Sequence, residues 1–214
     1  MQLALTDHLR CTESHAETWL VARADVAEHG WMVEGVLGCP VCHVERNVHG
    51  GVVSWAGSAT SGSARVPIHA PDAEANIRLA ALLGLTDSHL PFVLCGSAGA
   101  AASALGGMAT VALVLLDPPD DSAAGLATVI RGALVLPFAD RSVQGVALDS
   151  AHATADLIGS AIRALTPGGR LVAPASAPVP SGIRELARDA SEWVGERSTE
   201  PAVSGPVPLS RSRR

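Results

Sequence analysis

The chain has 214 residues and a formal net charge of −6, and 48% of its residues are hydrophobic although only 3% are aromatic. Nucleic-acid surfaces need clustered basic residues and often stacking aromatic side chains, so the composition argues against a nucleic-acid partner. The length suits one α/β domain with a small appendage, and the core must be built mainly from Ala, Val and Leu.

The first ten residues carry Asp7, His8 and Arg10 and lack the long apolar run of a secretory signal, which predicts a cytoplasmic protein. From Leu90 to Leu116 the chain has 27 residues without a charge. The middle of this stretch is rich in Gly and Ala, and buried parallel strands also form continuous apolar runs. The pattern therefore predicts strand, turn, helix and strand, and no membrane span.

Composition divides the chain into two parts. Residues 1–55 hold three of the four Trp and three of the four Cys, and are interpreted as a zinc-knuckle subdomain. Residues 56–71 are rich in Gly, Ser and Pro and are interpreted as a linker to a main domain over residues 72–214. In the first part the sequence predicts one helix and two short strands: Glu13 to Glu28, Met32 to Leu37 and Gly51 to Trp55.

In the main domain, predicted strands alternate with helices, which favours right-handed crossovers and a parallel sheet covered on both faces. Two weaker edge strands are predicted near the C-terminus, around Val194 to Ser198 and Pro206 to Leu209. The predicted helices are Asp72 to Leu83, Gly99 to Leu105, Ala155 to Leu165 and Ile183 to Val194. The predicted strands are Phe92 to Cys95, Val111 to Leu116, Ala133 to Leu136, Gly145 to Leu148 and Arg170 to Ala173.

Four residues of the first part have the spacing of a metal site. Cys11 and His15 are four residues apart at the predicted helix start, which would place them on one helix face. Cys39 and Cys42 form a Cys-x-x-Cys pair, whose short gap lets both thiolates reach one ion. Three thiolates and one imidazole favour zinc, and four protein ligands would leave no position for a reacting water. The sequence therefore predicts a structural zinc site.

Alternatives stay open at these residues. Cys39 and Cys42 could form a redox dithiol or have no function, and His43 or His49 could replace the histidine ligand. Cys95 is excluded because it belongs to a predicted buried strand. The Gly38 to Cys42 turn, with the glycines and valines that follow at residues 50–53, resembles a zinc-ribbon hairpin found in front of some methyltransferase domains.

A second constellation follows the first predicted strand of the main domain. The Gly-rich turn at residues 94–100 would let a cofactor approach the backbone, and Asp117 ends the next strand, 21 residues after Gly96. A carboxylate there can accept hydrogen bonds from both hydroxyls of a ribose. The segments at residues 136–146 and 161–172 follow in order. Together these four elements resemble the class I S-adenosylmethionine-dependent methyltransferases (methyltransferase type 11-like) over about residues 75–175.

This resemblance implies a Rossmann-like α/β fold with a doubly wound, mostly parallel seven-stranded sheet. In the sequence this fold would follow the small zinc-binding subdomain. It implies a pocket for S-adenosylmethionine at the carboxyl ends of the first, second and fourth strands. The cofactor contacts it implies are Gly96, Ser97, Ala98, Asp117 and Leu134. Asp149 and His152 follow the fourth strand, where the family places groups that face the substrate, and His152 could act as a general base.

The chain also departs from the family pattern. Leu94 stands where the family has an acidic residue, Ala98 and Ala100 stand where it has Gly, and Ala133 replaces an Asp. These departures leave two hypotheses. The chain is a methyltransferase for a small-molecule substrate, or it is a catalytically inactive module that docks on a partner protein. A nicotinamide-dependent oxidoreductase fits less well.

Overall fold

The computed structural model describes residues 1–55, 72–119 and 126–198. The predicted linker at residues 56–71 and the predicted strand at residues 206–209 lie outside this part of the chain. The described helices are α1 (Ala73–Leu83), α2 (Ala102–Met108) and α3 (Ala155–Ala164), with 3-10 helices at Leu3–His8 and Gly96–Ala101. The described strands are β1 (Val21–Glu28), β2 (Trp31–Gly38), β3 (Glu45–His49), β4 (Val52–Ser54), β5 (Phe92–Cys95), β6 (Leu113–Leu116), β7 (Thr128–Arg131), β8 (Val143–Ala147), β9 (Leu165–Pro174), β10 (Ile183–Arg188) and β11 (Glu192–Arg197).

All eleven of these strands form one mixed sheet, in the order β1-β2-β3-β4-β7-β6-β5-β8-β9-β11-β10. The expected count of seven strands is therefore wrong for the whole sheet, although residues 72–198 supply seven of the eleven. The other four come from residues 1–55, because β4 pairs in parallel with β7 and extends the sheet beyond the main domain. In the middle of the sheet, the neighbouring strands β4, β7, β6, β5, β8 and β9 pair in parallel. At both ends of the sheet the neighbouring strands are antiparallel.

The central strands set the position of the candidate site. β7, β6, β5, β8 and β9 have the spatial order 3-2-1-4-5 of doubly wound α/β folds. The order of the strands reverses between β5 and β8, which are neighbours in the sheet. Ligands of such sheets bind at this point, outside the carboxyl ends of the strands. All four residues of β5 are buried, as expected for a strand covered on both faces.

Two apolar cores cover the two faces of the sheet. On one face α1 and α2 pack on a core that includes Leu94 and Leu115. On the other face α3 packs on a core that includes Val93 and Phe138. Helix α1 begins where the Asp72 side chain accepts a hydrogen bond from the Ala75 N–H at 2.7 Å, as an N-cap does.

Residues 1–55 share the second core with the main domain. Leu9 pairs with Phe138 in an isolated bridge, and the Arg10 N–H donates to the Pro137 carbonyl at 3.0 Å. The Trp55 N–H donates to the Arg131 carbonyl at 2.7 Å. The division into two domains stays a prediction, but the two parts are joined by a continuous sheet and a common core.

Three predicted elements are wrong. The predicted helix Glu13 to Glu28 is a loop followed by β1, since Val21 and its neighbours pair with β2. The predicted helix Ile183 to Val194 is the β10–β11 hairpin, in which buried Trp193 donates its indole N–H to the Ala177 carbonyl at 2.9 Å. The third-strand position is shifted, because β7 ends at Arg131 and the predicted strand Ala133 to Leu136 is irregular. In the first two cases pairing across the sheet overrides the local pattern.

The long uncharged stretch from Leu90 to Leu116 contains β5, α2 and β6, as its Gly-rich middle predicted. A helix needs about 20 apolar residues to cross a bilayer. The longest helix in the described part of the chain has 11 residues, and no helix there is long and apolar enough to span a membrane.

Candidate functional site

The four predicted metal ligands come together. One ligand atom from each of Cys11, His15, Cys39 and Cys42 lies within 4.8 Å of all the others. The Sγ atoms of Cys11 and Cys42 are 3.7 Å apart, and Cys39 Sγ is 3.4 Å from His15 Nε2. Around one tetrahedral zinc ion, Zn–S and Zn–N bonds of normal length require separations of about 3.8 Å and about 3.5 Å. The residues therefore fit one zinc ion.

The two halves of this metal cluster have different local structures. Cys39 and Cys42 lie in the turn between β2 and β3, which is closed by two backbone hydrogen bonds. The Cys39 N–H donates to the Val44 carbonyl at 3.0 Å, and the His43 N–H donates to the Cys39 carbonyl at 3.0 Å. Cys11 and His15 lie in an irregular loop, so their predicted helix is wrong although their convergence is as expected.

Polar contacts around the cluster orient its ligand atoms. His15 Nδ1 contacts the Ala16 carbonyl at 2.7 Å, and this contact holds the ring with its Nε2 atom directed at Cys39. Burial raises the pKa of the Cys39 thiol, but hydrogen bonds from the backbone N–H groups of Cys42 and Val41 outweigh it and hold this pKa at about 6. A thiolate is the form of cysteine that binds metal.

The reserve ligands are not part of the cluster. His43 is exposed, and His49 Nδ1 contacts Glu34 Oε2 at 2.9 Å on the surface. Cys95 is fully buried in β5, as expected, and burial raises the pKa of its thiol well above the usual value.

The second group of predicted residues lies at the carboxyl ends of β5, β6 and β8, which we call the carboxyl edge. Gly96 and Ser97 follow β5, Asp117 follows β6, and Asp149 and His152 follow β8. Gly96 has a φ of +60°, a backbone conformation that favours glycine. Asp117 has a φ of +47°, and its Oδ1 atom accepts the Gly132 N–H at 2.8 Å.

Asp149 is the centre of a dense hydrogen-bond network. Its Oδ2 atom accepts the Ser97 N–H at 2.8 Å and the Ser97 hydroxyl at 3.1 Å. Its Oδ1 atom accepts the N–H groups of Ala151 and His152 at 3.1 Å and 3.0 Å, and His152 Nδ1 at 2.7 Å. Burial raises the pKa of this carboxyl, but the His152 and Ser97 hydrogen bonds outweigh it and hold the pKa well below its usual range.

His152 lies between two carboxylates. Its Nδ1 atom is 2.7 Å from Asp149 Oδ1, and its Nε2 atom is 3.9 Å from Asp117 Oδ2. Asp117 and Asp149 stabilise the protonated ring and raise the pKa of His152 to about 9, against the effect of burial. The imidazole is therefore a cation at neutral pH and has no free lone pair for general-base catalysis.

The remaining predicted cofactor residues are less closely involved. Leu134 is 84% exposed in the loop after β7. Ala98 is half-buried and packs against the core beneath α1 and α2. Sequence reasoning placed Asp149 and His152 near a substrate but missed the direct hydrogen bonds between Asp149 and Ser97. A carboxylate and a histidine three residues apart, directly after a buried strand, were the available signal.

Comparison with known proteins gives partial structural matches. No protein-family model matches the chain, and no curated protein sequence matches it. The pyocyanin biosynthetic protein PhzM matches with a TM-score of 0.41 and 16% identity, over 58% of this chain and 54% of that protein.

Two further matches show the range of proteins involved. Geranyl diphosphate C-methyltransferase from Streptomyces coelicolor A3(2), solved with S-adenosyl-L-homocysteine, matches with a TM-score of 0.40 and 19% identity over 47% of this chain and 42% of that one. The [4+2]-cyclase SpnF matches with a TM-score of 0.36 and 18% identity, over 46% and 44%. The chain thus spans about half the length of the solved structures it matches.

Proposed function

We propose that this chain binds S-adenosylmethionine at the carboxyl edge and transfers its methyl group to a small molecule. One observation carries the proposal. The Gly-rich turn after β5, the carboxylate of Asp117 after β6 and the polar residues after β8 converge at the point where a doubly wound sheet binds its ligands.

The residues at this edge suit a cofactor with a ribose and an amino-acid portion. With Asp149 moved aside, the turn at Gly96 would let such a ligand approach the backbone, and the Ser97 N–H, which here donates to Asp149, would donate to the ligand instead. The carboxylate of Asp117 would accept hydrogen bonds from the ribose hydroxyls. The cofactor supplies an activated methyl group, so the protein's part is mainly to position the acceptor, which needs few catalytic side chains.

We further propose that the metal cluster holds one zinc ion. Cys11, His15, Cys39 and Cys42 would supply all four bonds of a tetrahedral ion, so no position would remain for a reacting water. The ion's role would then be to hold the loop before β1 against the turn between β2 and β3. Metal binding of this kind contributes directly to folding.

A second candidate function is a catalytically inactive module that docks on a partner protein. Its specific support is that the polar groups of the carboxyl edge already satisfy one another. Asp149 takes both donors of Ser97, and Asp117 takes the Gly132 N–H. In addition, the family's acidic residue is replaced by Leu94, which is fully buried.

Calorimetric titration of the zinc-loaded full chain with S-adenosylhomocysteine separates the two functions. Saturable binding supports the enzyme, and we expect Asp117→Ala to weaken it by about 1–3 kcal/mol, because buried polar partners would be left unmatched. Asp156→Ala is the matched control, since Asp156 is exposed on α3. Absence of binding at millimolar ligand, both by wild type and by His152→Ala, would reject the enzyme in favour of the docking module.

A further inference from the structure

The space next to Gly96 is filled by two side chains of the protein itself. A Cβ atom on Gly96 would lie 2.1 Å from Asp149 Oδ2 and 2.5 Å from His152 Nδ1. These contacts mean that the two side chains lie directly against the glycine backbone. No ligand atom can approach Gly96 from that side while they stay there.

The same side chains engage the groups that a ligand would use. Both donors of Ser97 are directed at Asp149. One oxygen of Asp117 accepts the Gly132 N–H, and the other faces the His152 ring. The edge is thus polar and convergent, yet most of its donors and acceptors already bond to each other.

We propose that Asp149 and His152 form a latch that closes the carboxyl edge, and that a ligand reaches Gly96 and Ser97 only when this latch opens. The proposal rests on the proposed function, in which that ligand is S-adenosylmethionine. The latch residues lie in the loop between β8 and α3, and each side chain is 20% exposed. They can therefore move outward without unpacking a core, unlike the fully buried Leu94.

Charge explains how the latch is held and what can replace it. Two carboxylates face the His152 cation: Asp149, which lies in the same loop, and Asp117, which lies at the end of β6. The nearby Cys95 thiol at the end of β5 is neutral, because burial raises its pKa. When the imidazolium leaves, Asp117 and Asp149 lose the cation that lies between them. The α-ammonium group of S-adenosylmethionine or S-adenosylhomocysteine is a cation that could take its place.

The test compares four forms of the zinc-loaded full chain: wild type, His152→Ala, His152→Gln and His89→Ala. Each is titrated with S-adenosylhomocysteine at pH 7 in a calorimeter. We expect His152→Ala to bind about tenfold more tightly than wild type, a difference of about 1.4 kcal/mol, because the ligand no longer displaces the imidazolium. His152→Gln keeps a neutral donor and should fall between the two. His89→Ala removes an exposed histidine that precedes β5, at the opposite end of this strand from Gly96, and it should bind like wild type.

The outcomes separate the latch from the proposed function. If wild type binds and His152→Ala binds equally or more weakly, the latch is overturned while the enzyme stands. If none of the four proteins binds, the proposed function is overturned, and the latch loses its ligand with it. Amide hydrogen exchange at Ser97 gives a readout without ligand. It should be faster in His152→Ala than in wild type, and an unchanged rate would contradict the latch.

Discussion

The metal cluster and the carboxyl edge are both places where residues distant in sequence converge, but they differ in chemical balance. The cluster brings three sulfur atoms and an imidazole nitrogen together, all of them electron-pair donors toward one point. The edge alternates carboxylates with a cationic histidine and backbone N–H groups. A cation would complete the first arrangement, whereas in the second the carboxylates already lie against a cationic ring and backbone N–H groups. Convergence alone therefore does not indicate a ligand, and the balance of donors and acceptors must be read with it.

The largest effect is expected from removing a cluster ligand. Cys39→Ser should lose the zinc ion and destabilise residues 1–55 by several kcal/mol, up to about 10 kcal/mol, because metal binding is coupled to folding. The effect should reach β7, since β4 pairs with β7 and the Trp55 N–H donates to the Arg131 carbonyl. Elemental analysis and amide hydrogen exchange measure the two effects.

His49→Ala is the control for this experiment, because His49 contacts Glu34 and not the cluster. It should retain one zinc ion per chain and wild-type exchange rates. Well under one zinc ion in the wild-type protein, purified without chelator, would reject the zinc assignment.

The next largest effect is expected from placing an acidic residue at Leu94, which is fully buried in β5. Leu94→Asp should reduce the free energy of unfolding by about 3–5 kcal/mol, because it places an unpaired carboxyl in the core beneath α1 and α2. Leu134→Asp is the same change at a position that is 84% exposed, and should alter stability by less than about 0.5 kcal/mol. Urea denaturation of both variants checks the contrast. If the two variants were equally stable, position 94 would be open to solvent, and the burial of Leu94 in the core would be contradicted.

A smaller effect should appear in the pH dependence of stability. The pKa of His152 rises from 6.5 in the unfolded chain to about 9 in the folded one. Its stabilising contribution is therefore complete below pH 6.5 and is lost as the pH rises through about 9. Allowing for solvent screening, we expect His152→Gln to be about 1–2 kcal/mol less stable than wild type at pH 6.

This difference should shrink steadily between pH 7 and pH 10. Thermal or urea unfolding of both proteins at several pH values measures it. A constant difference across that range would show that His152 stabilises the fold by packing alone, without its charge.

Much of the fold and the positions of both groups of candidate residues could be predicted from the sequence. The strand Phe92 to Cys95 matches β5, and the helix predicted from Ala155 ends within one residue of α3. Cys-x-x-Cys spacing and a glycine turn after an apolar strand are local signals, and local signals predict where residues will lie. The convergence of Cys11 and His15 with Cys39 and Cys42 was therefore predicted, although their predicted helix was wrong.

The rest depends on contacts between distant segments. β1 and the β10–β11 hairpin form strands because they pair with neighbours in the sheet, which local periodicity does not show. The extension of the sheet through β4 and β7 pairs residues that are 77 positions apart in the chain, such as Val52 and Val129. The pairing of Ser97 with Asp149, 52 residues later, likewise has no local signal. These contacts decide whether the carboxyl edge is open or closed.

The charge network of the carboxyl edge can be tested most directly by NMR titration of the His152 ring. His152→Gln identifies its signal among the eight histidines of the chain. If the ring lies between Asp117 and Asp149 as described, its pKa should be about 9. A pKa near the unperturbed value of about 6.5 would mean that the ring is free in solvent, and would contradict a carboxyl edge that is closed by its own side chains.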